Sequence, residues 1–369
     1  MLNVGFIGTG VIFDLNVLGY LNNPDVKITC LCNRTIEKAK NKIEKFKLNE
    51  DIKVYSDYRE MIDKEELDII EILLPHHLHA EATIYAAERG IIGISVQKPM
   101  AMTLEEADKM INQCKAFGSI LSIYENFVFA PHIKKAKELI EQDYIGELVS
   151  IRIKTAMAAT GGWKVSESAD KWRKDPNQVG GGEKGSPVLF DNGWHAFNLG
   201  WWLFNEPIEK VFAWTDKYKG MDAPAFVMWK CKYNKEKKYM LPQYGNMEFS
   251  LMPEMKLPST YYPTDEFIEV IGSRGLMRIN QGTSIGNEMS KSEIFAPLSV
   301  YRDGKVEVFT DFEKDWSVSF IKATHHFIDV VKGKKDPILT GENARYVLKF
   351  NLAAIKSAES GKEVLIDEF

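Results

Sequence analysis

The stretch VGFIGTGVIF, residues 4–13, decides the predicted fold of the N-terminal part of the chain. It opens with a short apolar run typical of a buried strand, and Gly8 and Gly10 follow at once. Gly8 permits a tight turn, Gly10 lets a pyrophosphate approach the backbone, and the start of the predicted helix offers free N–H groups. We therefore predict dinucleotide binding, with a purely structural glycine turn as the alternative. The binding residues would be Gly8, Thr9, Gly10, Val11 and Ile12.

Two places depart from the usual pattern. Phe13 stands where a third glycine or alanine is common, so either the helix lies further from the strand or Phe13 packs over the turn. The second strand is predicted to end at Asn33 and Arg34, where an NAD site usually has an acid. Asn33 can hydrogen-bond a ribose, and Arg34 can face a 2′-phosphate unless it is simply an exposed helix start. Both NAD and NADP stay open as cofactors.

The rest of the chain predicts an α/β protein of two domains. In residues 1–125, apolar runs at 4–8, 28–32, 69–74, 91–96 and 120–124 alternate with helical patterns at 35–46, 77–89 and 104–117. This order predicts a Rossmann domain with a doubly wound parallel sheet. Residues 126–369 carry longer, alternating strands, which predict an α+β domain with a large open, mostly antiparallel sheet. The stretch 160–188 has little periodicity and is expected to be a functional loop.

Composition excludes several classes of protein. The 369 residues carry a net charge of −5, which argues against a nucleic-acid partner, and no apolar run is long enough to span a membrane. Neither a signal peptide nor a disulfide framework is evident, so we expect a cytoplasmic, reduced protein. His76, His77 and His79 lie too close in sequence to share one helix face, so we predict no metal site.

Several motifs, in order, resemble the Gfo/Idh/MocA family of glucose–fructose oxidoreductases and inositol dehydrogenases. They are GTGVI at residues 8–12, LPHHLH at 74–79, QKP at 97–99, DNGWH at 191–195, and the two C-terminal helical segments that begin near residues 317 and 343. The resemblance covers essentially the whole chain. It implies an oxidoreductase that transfers a hydride between NAD(P) and a secondary hydroxyl or ketone of a sugar, cyclitol or glycoside.

The resemblance also implies roles for individual residues. Further cofactor contacts would come from Leu74, Pro75, His76, His79, Gln97, Lys98, Asn126, Trp172 and Arg173. Substrate contacts would come from Lys98, Asn126, Trp163, Asp191, Asn192 and His195. The catalytic set would be Lys98, Asp191 and His195.

The chemistry of the catalytic residues fits those roles. His195 is the side chain best matched to move a proton near neutral pH, and Lys98, just past a predicted strand, can stabilise a developing alkoxide. Asp191 and His195 are four residues apart, so they would face the same way if they share one helix. Asp191 would then position substrate and support the charge on His195. A helix-surface pair is the alternative.

Gln97 is the main departure, because the resembling family has Glu-Lys-Pro here. A neutral amide favours the charged form of Lys98 less than a carboxylate does. We therefore expect Lys98 to lose its proton more readily and to share the role of base.

The sequence gives only general expectations for the substrate and for the oligomeric state. The aromatic residues of the 160–188 loop, together with Trp194, suggest a substrate larger than a monosaccharide, such as a glucoside oxidised at its 3-hydroxyl. A homo-oligomer, dimeric, tetrameric or larger, is implied by the resemblance. Two other functions remain open: an NAD-dependent glycosidase that acts through a transient keto-sugar, and a non-catalytic sensor.

Overall fold

The computed structural model describes residues 1–163, 167–280 and 296–369. By contacts, the chain forms two compact units. The first contains residues 1–126, 177–180 and 319–348, and the second contains 127–176, 181–318 and 349–369. The first break falls next to the predicted boundary at 125/126, but segment 319–348, predicted as part of the second domain, joins the first unit. Residues 164–166 of the predicted loop lie outside the described residues.

The first unit is built on a parallel sheet, which confirms the predicted Rossmann architecture. Within the described residues its six strands are ordered β3-β2-β1-β4-β5-β6. The strands are β1 Leu2–Ile7, β2 Val26–Cys32, β3 Lys53–Tyr55, β4 Ile69–Ile72, β5 Gly93–Gln97 and β6 Ile120–Tyr124. The helices between them are α1 Phe13–Asn16, α2 Ile36–Phe46, α3 Tyr58–Lys64, α4 His79–Glu88 and α5 Leu104–Phe117.

Local sequence explains these elements. Every residue of β4 is buried, as expected for a strand covered on both faces. Helix α5 begins with a capping box in which Thr103 and Glu106 bond each other's backbone N–H groups, and it ends at Gly118 in the left-handed conformation. Helix α1 has only four residues before a 3₁₀ turn at Val17–Gly19, so it is much shorter than the helix expected after the glycine turn.

The second unit is built on a mixed sheet. Within the described residues its nine strands are ordered β14-β13-β12-β11-β7-β10-β9-β8-β15, and only β7 and β10 pair in parallel. The strands are β7 Leu148–Thr160, β8 Ile208–Thr215, β9 Ala225–Cys231, β10 Tyr244–Lys256, β11 Thr264–Gly272, β12 Gly275–Asn280, β13 Leu298–Arg302, β14 Lys305–Phe309 and β15 Val364–Leu365. This confirms the predicted open, mostly antiparallel sheet.

The remaining helices, some of which cross a division between the units, are α6 Pro131–Glu141, α7 Glu167–Arg173, α8 Pro176–Val179, α9 Trp194–Phe204, α10 Ser317–Val331 and α11 Gly341–Ser360. Helices α7 and α8 fall inside the stretch predicted as loop. Their short length, seven and four residues, explains why no helical periodicity was visible. No helix in the described part of the chain is long and apolar enough to cross a membrane.

Candidate active site

The predicted cofactor residues of the first unit lie at one edge of the parallel sheet. Residues 8–12 follow β1, Asn33 and Arg34 follow β2, residues 74–79 follow β4, Gln97 and Lys98 end or follow β5, and Asn126 follows β6. All six strands run in the same direction, so these segments share the carboxyl edge. Ligands of open α/β sheets bind at this edge, near the strands where the order reverses, here β1 and β4.

The two glycines of the turn have different surroundings. Gly8 has a φ of +100°, and a Cβ atom there would lie 2.5 Å from the carbonyl oxygen of Leu73. Gly8 is therefore required by the turn and by the neighbouring strand. Gly10 is exposed, and a Cβ atom there would meet nothing within 4 Å, so its backbone is open to a ligand. Because α1 has only four residues, its helix dipole is small, and we expect any phosphate contact here to come mainly from backbone N–H groups.

Contacts show how Phe13 and Asn33 are held near the turn. Phe13 is fully buried, with its ring 5.0 Å from that of Phe6, so it packs into the core rather than over the turn. Asn33 donates from Nδ2 to the Thr9 hydroxyl over 2.8 Å and accepts from the backbone N–H of Thr35 over 2.9 Å. Asn33 thus ties the end of β2 to the turn. Arg34 is exposed, so its contact with a 2′-phosphate stays a prediction.

The histidines after β4 connect backbone segments of the first unit. His76 is buried, with Nδ1 2.7 Å from the carbonyl oxygen of Val179. His79 is fully buried, and its Nδ1 and Nε2 lie 2.9 and 2.8 Å from the carbonyl oxygens of Pro99 and Leu74. His79 therefore joins the loop after β4 to the loop that carries Lys98. Both of its ring nitrogens are engaged with backbone carbonyl groups. A contact of His79 with the cofactor stays a prediction, as do the contacts of half-buried Leu74 and Pro75.

Lys98 is half-buried and directly follows β5, as the sequence predicts. The preceding Gln97 is 8% exposed, and its Nε2 donates to Asn16 Oδ1 over 3.1 Å. Asn126 is also buried, with its Nδ2 donating to the Ser319 hydroxyl over 2.8 Å. Both amides are therefore held in fixed orientations beside the edge where ligands are expected.

Asp191 and His195 do not share one regular α-helix, so the condition for their facing the same way is not met. Asp191 lies in a π-helical segment, Pro187–Asn192, whereas His195 lies in the first turn of α9. The buried carboxylate of Asp222 holds the start of the π-helical segment by accepting from the backbone N–H groups of Val188 and Leu189 over 2.7 and 3.0 Å. This cap stabilises a turn of different pitch from the helix that follows, so the i, i+4 argument does not apply.

Asp191 has an ion-pair partner in the same unit. Arg173 donates from Nε to Asp191 Oδ2 over 2.9 Å, and the carboxylate side chain is only 3% exposed. A buried carboxylate needs such a partner. The guanidinium also lies over the ring of Trp172, 4.4 Å from its centroid. The structure thus brings Arg173 and Trp172 to a predicted substrate residue, and their predicted contact with the cofactor is not tested by it.

His195 is held by an aromatic ring and lines a pocket of the second unit. Its imidazole stacks on the ring of Phe127 with 4.1 Å between centroids and 6° between planes. The pocket is lined by Phe127, Ile153, Thr155, Asn192, His195, Ala196, Leu199, Glu266 and Ile268. A histidine in a fixed plane beside polar groups can exchange a proton with a bound hydroxyl.

Sequence reasoning missed two polar residues of this pocket, Thr155 on β7 and Glu266 on β11. They are directly paired across the two antiparallel strands, as are Ile153 and Ile268. Alternation along each strand could have shown that Thr155 and Glu266 share a face with apolar neighbours. The pairing of β7 with β11, more than a hundred residues apart, gave no local signal.

Aromatic side chains form a cluster adjoining Phe127. Trp163 lies 5.6 Å from Tyr261, 5.3 Å from Tyr262 and 6.2 Å from Trp316, measured between ring centroids. Trp316 in turn lies 6.2 Å from Phe127. The Tyr261 hydroxyl donates to Asp315 over 2.7 Å, and burial together with this hydrogen bond raises the pKa of Tyr261 to about 12. Trp194, in contrast, is 1% exposed and belongs to the core. The expectation that its ring contributes to a substrate site is therefore wrong.

Among the described residues, no group of three or more His, Cys, Asp or Glu side chains is arranged to hold a metal ion. The four cysteines are buried and form no disulfide within the described part of the chain.

Comparison with known proteins supports the same picture. Residues 2–125 match the model of an oxidoreductase family with an NAD-binding Rossmann fold, and residues 137–366 match the C-terminal α/β domain of that family. The D-glucoside 3-dehydrogenase of Escherichia coli (strain K12) is 23% identical over 98% of this chain and 97% of its own length. An α-N-acetylgalactosaminidase of Tannerella forsythia is 31% identical, but the match covers only 40% of this chain and 33% of that protein.

A solved structure shows the same fold. The crystal structure of GenD2 from gentamicin A biosynthesis, in complex with NAD, superimposes with a TM-score of 0.77 at 20% identity over 99% of this chain and 96% of that one. At this identity the likeness concerns the fold alone. The two family models together cover nearly all of the chain in the order found here. The chain therefore belongs to the Gfo/Idh/MocA oxidoreductase family, with an NAD-binding Rossmann domain followed by the family's C-terminal α/β domain.

Proposed function

We propose that this protein is an NAD(P)-dependent dehydrogenase that acts on a secondary hydroxyl, or in reverse on a ketone, of a sugar, cyclitol or glycoside. The observation that carries the proposal is the position of His195. It stacks on Phe127 and lines a pocket with polar Asn192 and Glu266, in a chain whose other domain is an NAD-binding Rossmann fold. Such a pocket can bind a hydroxyl and accept its proton.

Each catalytic residue then has a defined task. The nicotinamide, when bound, accepts or supplies the hydride. His195 takes the hydroxyl proton during oxidation and returns it during reduction. Lys98, at the carboxyl edge of the sheet, donates a hydrogen bond to the same oxygen and stabilises negative charge on it. Asp191, whose own charge is balanced by Arg173, accepts from a neighbouring hydroxyl and positions the ring.

The cofactor preference depends on Arg34 in this proposal. The first domain offers Asn33 and exposed Arg34 where an acid would favour NAD. KM for NAD and for NADP, measured before and after Arg34→Ala, tests this role. A selective rise in KM for NADP supports it, and an unchanged preference contradicts it.

Glycosides are the favoured substrates within this class. Trp163, Tyr261 and Tyr262 are half-buried and are connected through the ring of Trp316 to Phe127, on which His195 stacks. Aromatic faces suit the C–H patches of sugar rings and the flat rings of aromatic aglycones. The Escherichia coli relative is named a D-glucoside 3-dehydrogenase, so oxidation of a glucoside at its 3-hydroxyl is the first reaction to test.

A panel of sugars, cyclitols and glycosides tests the proposal. Each compound is incubated with NAD and with NADP, reduced nicotinamide is followed by absorbance, and products are identified by mass spectrometry. We expect a product two hydrogens lighter, formed with one equivalent of reduced cofactor. No redox change on any member of the three classes, in either direction, would contradict the proposal.

A glycosidase is the second candidate, favoured by the likeness to the α-N-acetylgalactosaminidase. It would cleave a glycoside through a keto-sugar and return the hydride to the sugar. The same panel separates the two, because a glycosidase releases the aglycone with no net change in nicotinamide absorbance. The Escherichia coli relative, matched over the full length, favours the dehydrogenase.

Homo-oligomerisation is proposed from the outer face of the second sheet. Trp214, Met228 and Tyr244 are 56%, 38% and 51% exposed, and pairing across β8, β9 and β10 puts them on one face. Exposed apolar patches of this kind are typical of subunit interfaces. Light scattering of the wild type and of Trp214→Glu tests this. A multimer whose mass falls in the variant supports it, and a wild-type monomer contradicts it.

A further inference from the structure

The segment Pro187–Asn192, which carries Asp191 of the proposed site, forms a π turn directly before α9. A π turn contains one residue more than an α turn, and single π turns often occur at functional sites. Here the backbone N–H of Gly193 donates to the carbonyl oxygen of Val188, five residues back, over 2.6 Å. In a regular α-helix the same N–H would donate to Leu189. The buried carbonyl group of Leu189 therefore needs a different donor.

That donor is the side chain of Asn351 on α11. Its Nδ2 donates to the carbonyl oxygen of Leu189 over 2.8 Å, and both residues are fully buried. The carbonyl group passes directly beside Gly193, where a Cβ atom would overlap the same oxygen. Asn351 thus supplies the hydrogen bond that the π turn removes from Leu189, at a place where water does not replace it.

The N–H groups at the start of the segment are bound by Asp222, in the loop between β8 and β9. Its two carboxylate oxygens accept from Val188 and Leu189 over 2.7 and 3.0 Å, and the residue is 5% exposed. Leu189 is therefore held on both sides, with its N–H bound by Asp222 and its carbonyl oxygen by Asn351. Hydrogen bonds to a charged carboxylate are stronger than bonds between neutral groups. Two residues from distant parts of the chain thus support the same π turn.

The extra residue of the π turn changes the direction in which Asp191 leaves the helix. In a regular α-helix each residue turns by about 100°, and residues 191 and 195 would share one face. One additional residue in the turn rotates Asp191 from that place by up to about 100°. In the structure its carboxylate accepts from Arg173 Nε over 2.9 Å and is only 3% exposed. The ion pair with Arg173 therefore accompanies the π geometry.

We propose that Asn351 and Asp222 are positioning residues for Asp191, because they hold residues 187–192 in the π turn and so keep the Asp191 carboxylate on Arg173, where it can accept from a substrate hydroxyl. This rests on the role of Asp191 in the proposed function. Neither Asn351 nor Asp222 has to touch the substrate for this effect.

Loss of the Asn351 donor favours a regular α turn. The buried carbonyl oxygen of Leu189 would be left without its hydrogen bond, which is costly in the core. It regains a donor when the N–H of Gly193 moves from Val188 to Leu189, and this exchange converts the π turn to an α turn. The conversion rotates the Asp191 side chain off its ion-pair partner and so weakens the positioning of substrate.

The first arm of the test uses cofactor-free protein and needs no activity. Asn351→Leu keeps the approximate size of the side chain but removes the donor, and the Nε–H signal of Arg173 is followed by ¹⁵N–¹H NMR. Ser357→Ala is the matched control, because Ser357 is also buried on α11 and accepts from the backbone N–H of Ala213 over 3.0 Å. We expect the Arg173 signal to shift and to exchange faster with water in Asn351→Leu, and to stay as in wild type in Ser357→Ala.

A second variant covers the case in which Asn351→Leu does not fold. Asp222→Asn replaces one acceptor oxygen with a donor and should shift the same Arg173 signal, whereas Asp216→Asn, at an exposed position of the same loop, should not. An unchanged Arg173 signal in the folded variant, or an equal shift in its control, overturns the proposal even if the protein proves to be a dehydrogenase.

The second arm asks whether Asn351 acts through Asp191 and uses the best substrate of the panel. We expect Asn351→Leu to lower kcat/KM for that substrate about tenfold and to leave Kd for reduced cofactor within about threefold of wild type. In an Asp191→Ala background, the same substitution should change kcat/KM less than about threefold, because a residue that acts through another has little effect once the other is absent. Effects that multiply in the double variant overturn the proposal.

Discussion

Lys98 and His195 are positioned by different kinds of structure. Lys98 follows a parallel strand, and its neighbours along the sheet edge are the residues that follow the other strands. His195 lies at the start of a helix, against a ring from residue 127 and a pocket wall from β7 and β11. The first arrangement follows from topology, because every strand delivers its next residue to the same edge. The second depends on packing between segments that are distant in sequence, so the two should differ in how mutations affect them.

The largest expected effect is at His195. His195→Ala removes the group that exchanges the proton, and we expect kcat to fall by about 10²–10⁴ while binding of reduced cofactor is retained. Initial rates and fluorescence titration with NADH or NADPH measure the two quantities. His325→Ala, an exposed histidine of α10, is the control and should behave as wild type. Turnover within threefold of wild type in His195→Ala would contradict the assignment.

A slightly smaller effect is expected at Lys98. Lys98→Met keeps the length of the side chain but removes the donor to the reacting oxygen, so kcat should fall by about 10²–10³. The exposed Lys109→Met on α5 is the matched control. A loss confined to cofactor affinity, with kcat unchanged, would assign Lys98 to binding rather than to catalysis.

Lys98 and His195 also differ in how well their positions could be predicted from the sequence. The segments at the carboxyl edge could be predicted, because short apolar runs and the residues after them specify a parallel sheet without knowledge of distant contacts. Lys98 was assigned from its position after β5 and from the QKP motif. Asp191 and His195 were assigned from the DNGWH motif, and that assignment stays a prediction. Their geometry could not be predicted, since no local pattern indicates a π-helical turn capped by Asp222, which is 34 residues from Val188.

The positions of Glu266 and of the aromatic cluster could not be predicted from the sequence. Glu266 comes beside Thr155 only when β11 pairs with β7, and Tyr261 and Trp316 come together only in the folded second unit. Strand register over such separations has no local sequence signal. Likewise, Glu71 lay inside a run predicted as a buried strand, and its link to Gln97 through Asn16 depends on packing between the first helix and the sheet.

The buried carboxyl group of Glu71, on β4 of the first unit, predicts a pH dependence of the free energy of unfolding. Its pKa of about 7 in the folded protein lies above the ordinary 4.5, so the unfolded chain ionises first as pH rises and the folded state loses stability between about pH 4.5 and 7. Removing the acid in Glu71→Gln removes that loss. The unfolding free energy of the variant relative to wild type should therefore rise by up to about 3 kcal/mol between pH 5 and 8.

Urea unfolding of cofactor-free protein at several pH values measures this difference. The slope against pH is the informative quantity, because loss of hydrogen bonds in the variant lowers stability equally at every pH. Glu44→Gln, at an exposed position of α2, is the matched control. A flat difference for Glu71→Gln would mean that Glu71 is ionised in the folded protein throughout this range.

The smallest effect is expected at Glu266, in the pocket of the second unit. Glu266→Gln replaces one acceptor oxygen of the pocket with a donor, so a substrate hydroxyl loses one charge-assisted hydrogen bond. We expect KM for the sugar to rise about tenfold with kcat changed less than threefold. Glu248→Gln, on an exposed position of β10, is the control. A fall in kcat as large as that of His195→Ala would place Glu266 in proton transfer instead.

The most direct test of the account follows the hydride itself. The best substrate of the panel is prepared with deuterium on the carbon that bears the reacting hydroxyl, and the reduced nicotinamide is isolated and analysed by NMR. We expect the wild type to transfer one deuterium to the nicotinamide ring, and the rate of transfer to fall by about 10²–10⁴ in His195→Ala. Deuterium that is lost to water, or that never reaches the nicotinamide, would contradict direct hydride transfer and with it the proposed dehydrogenase.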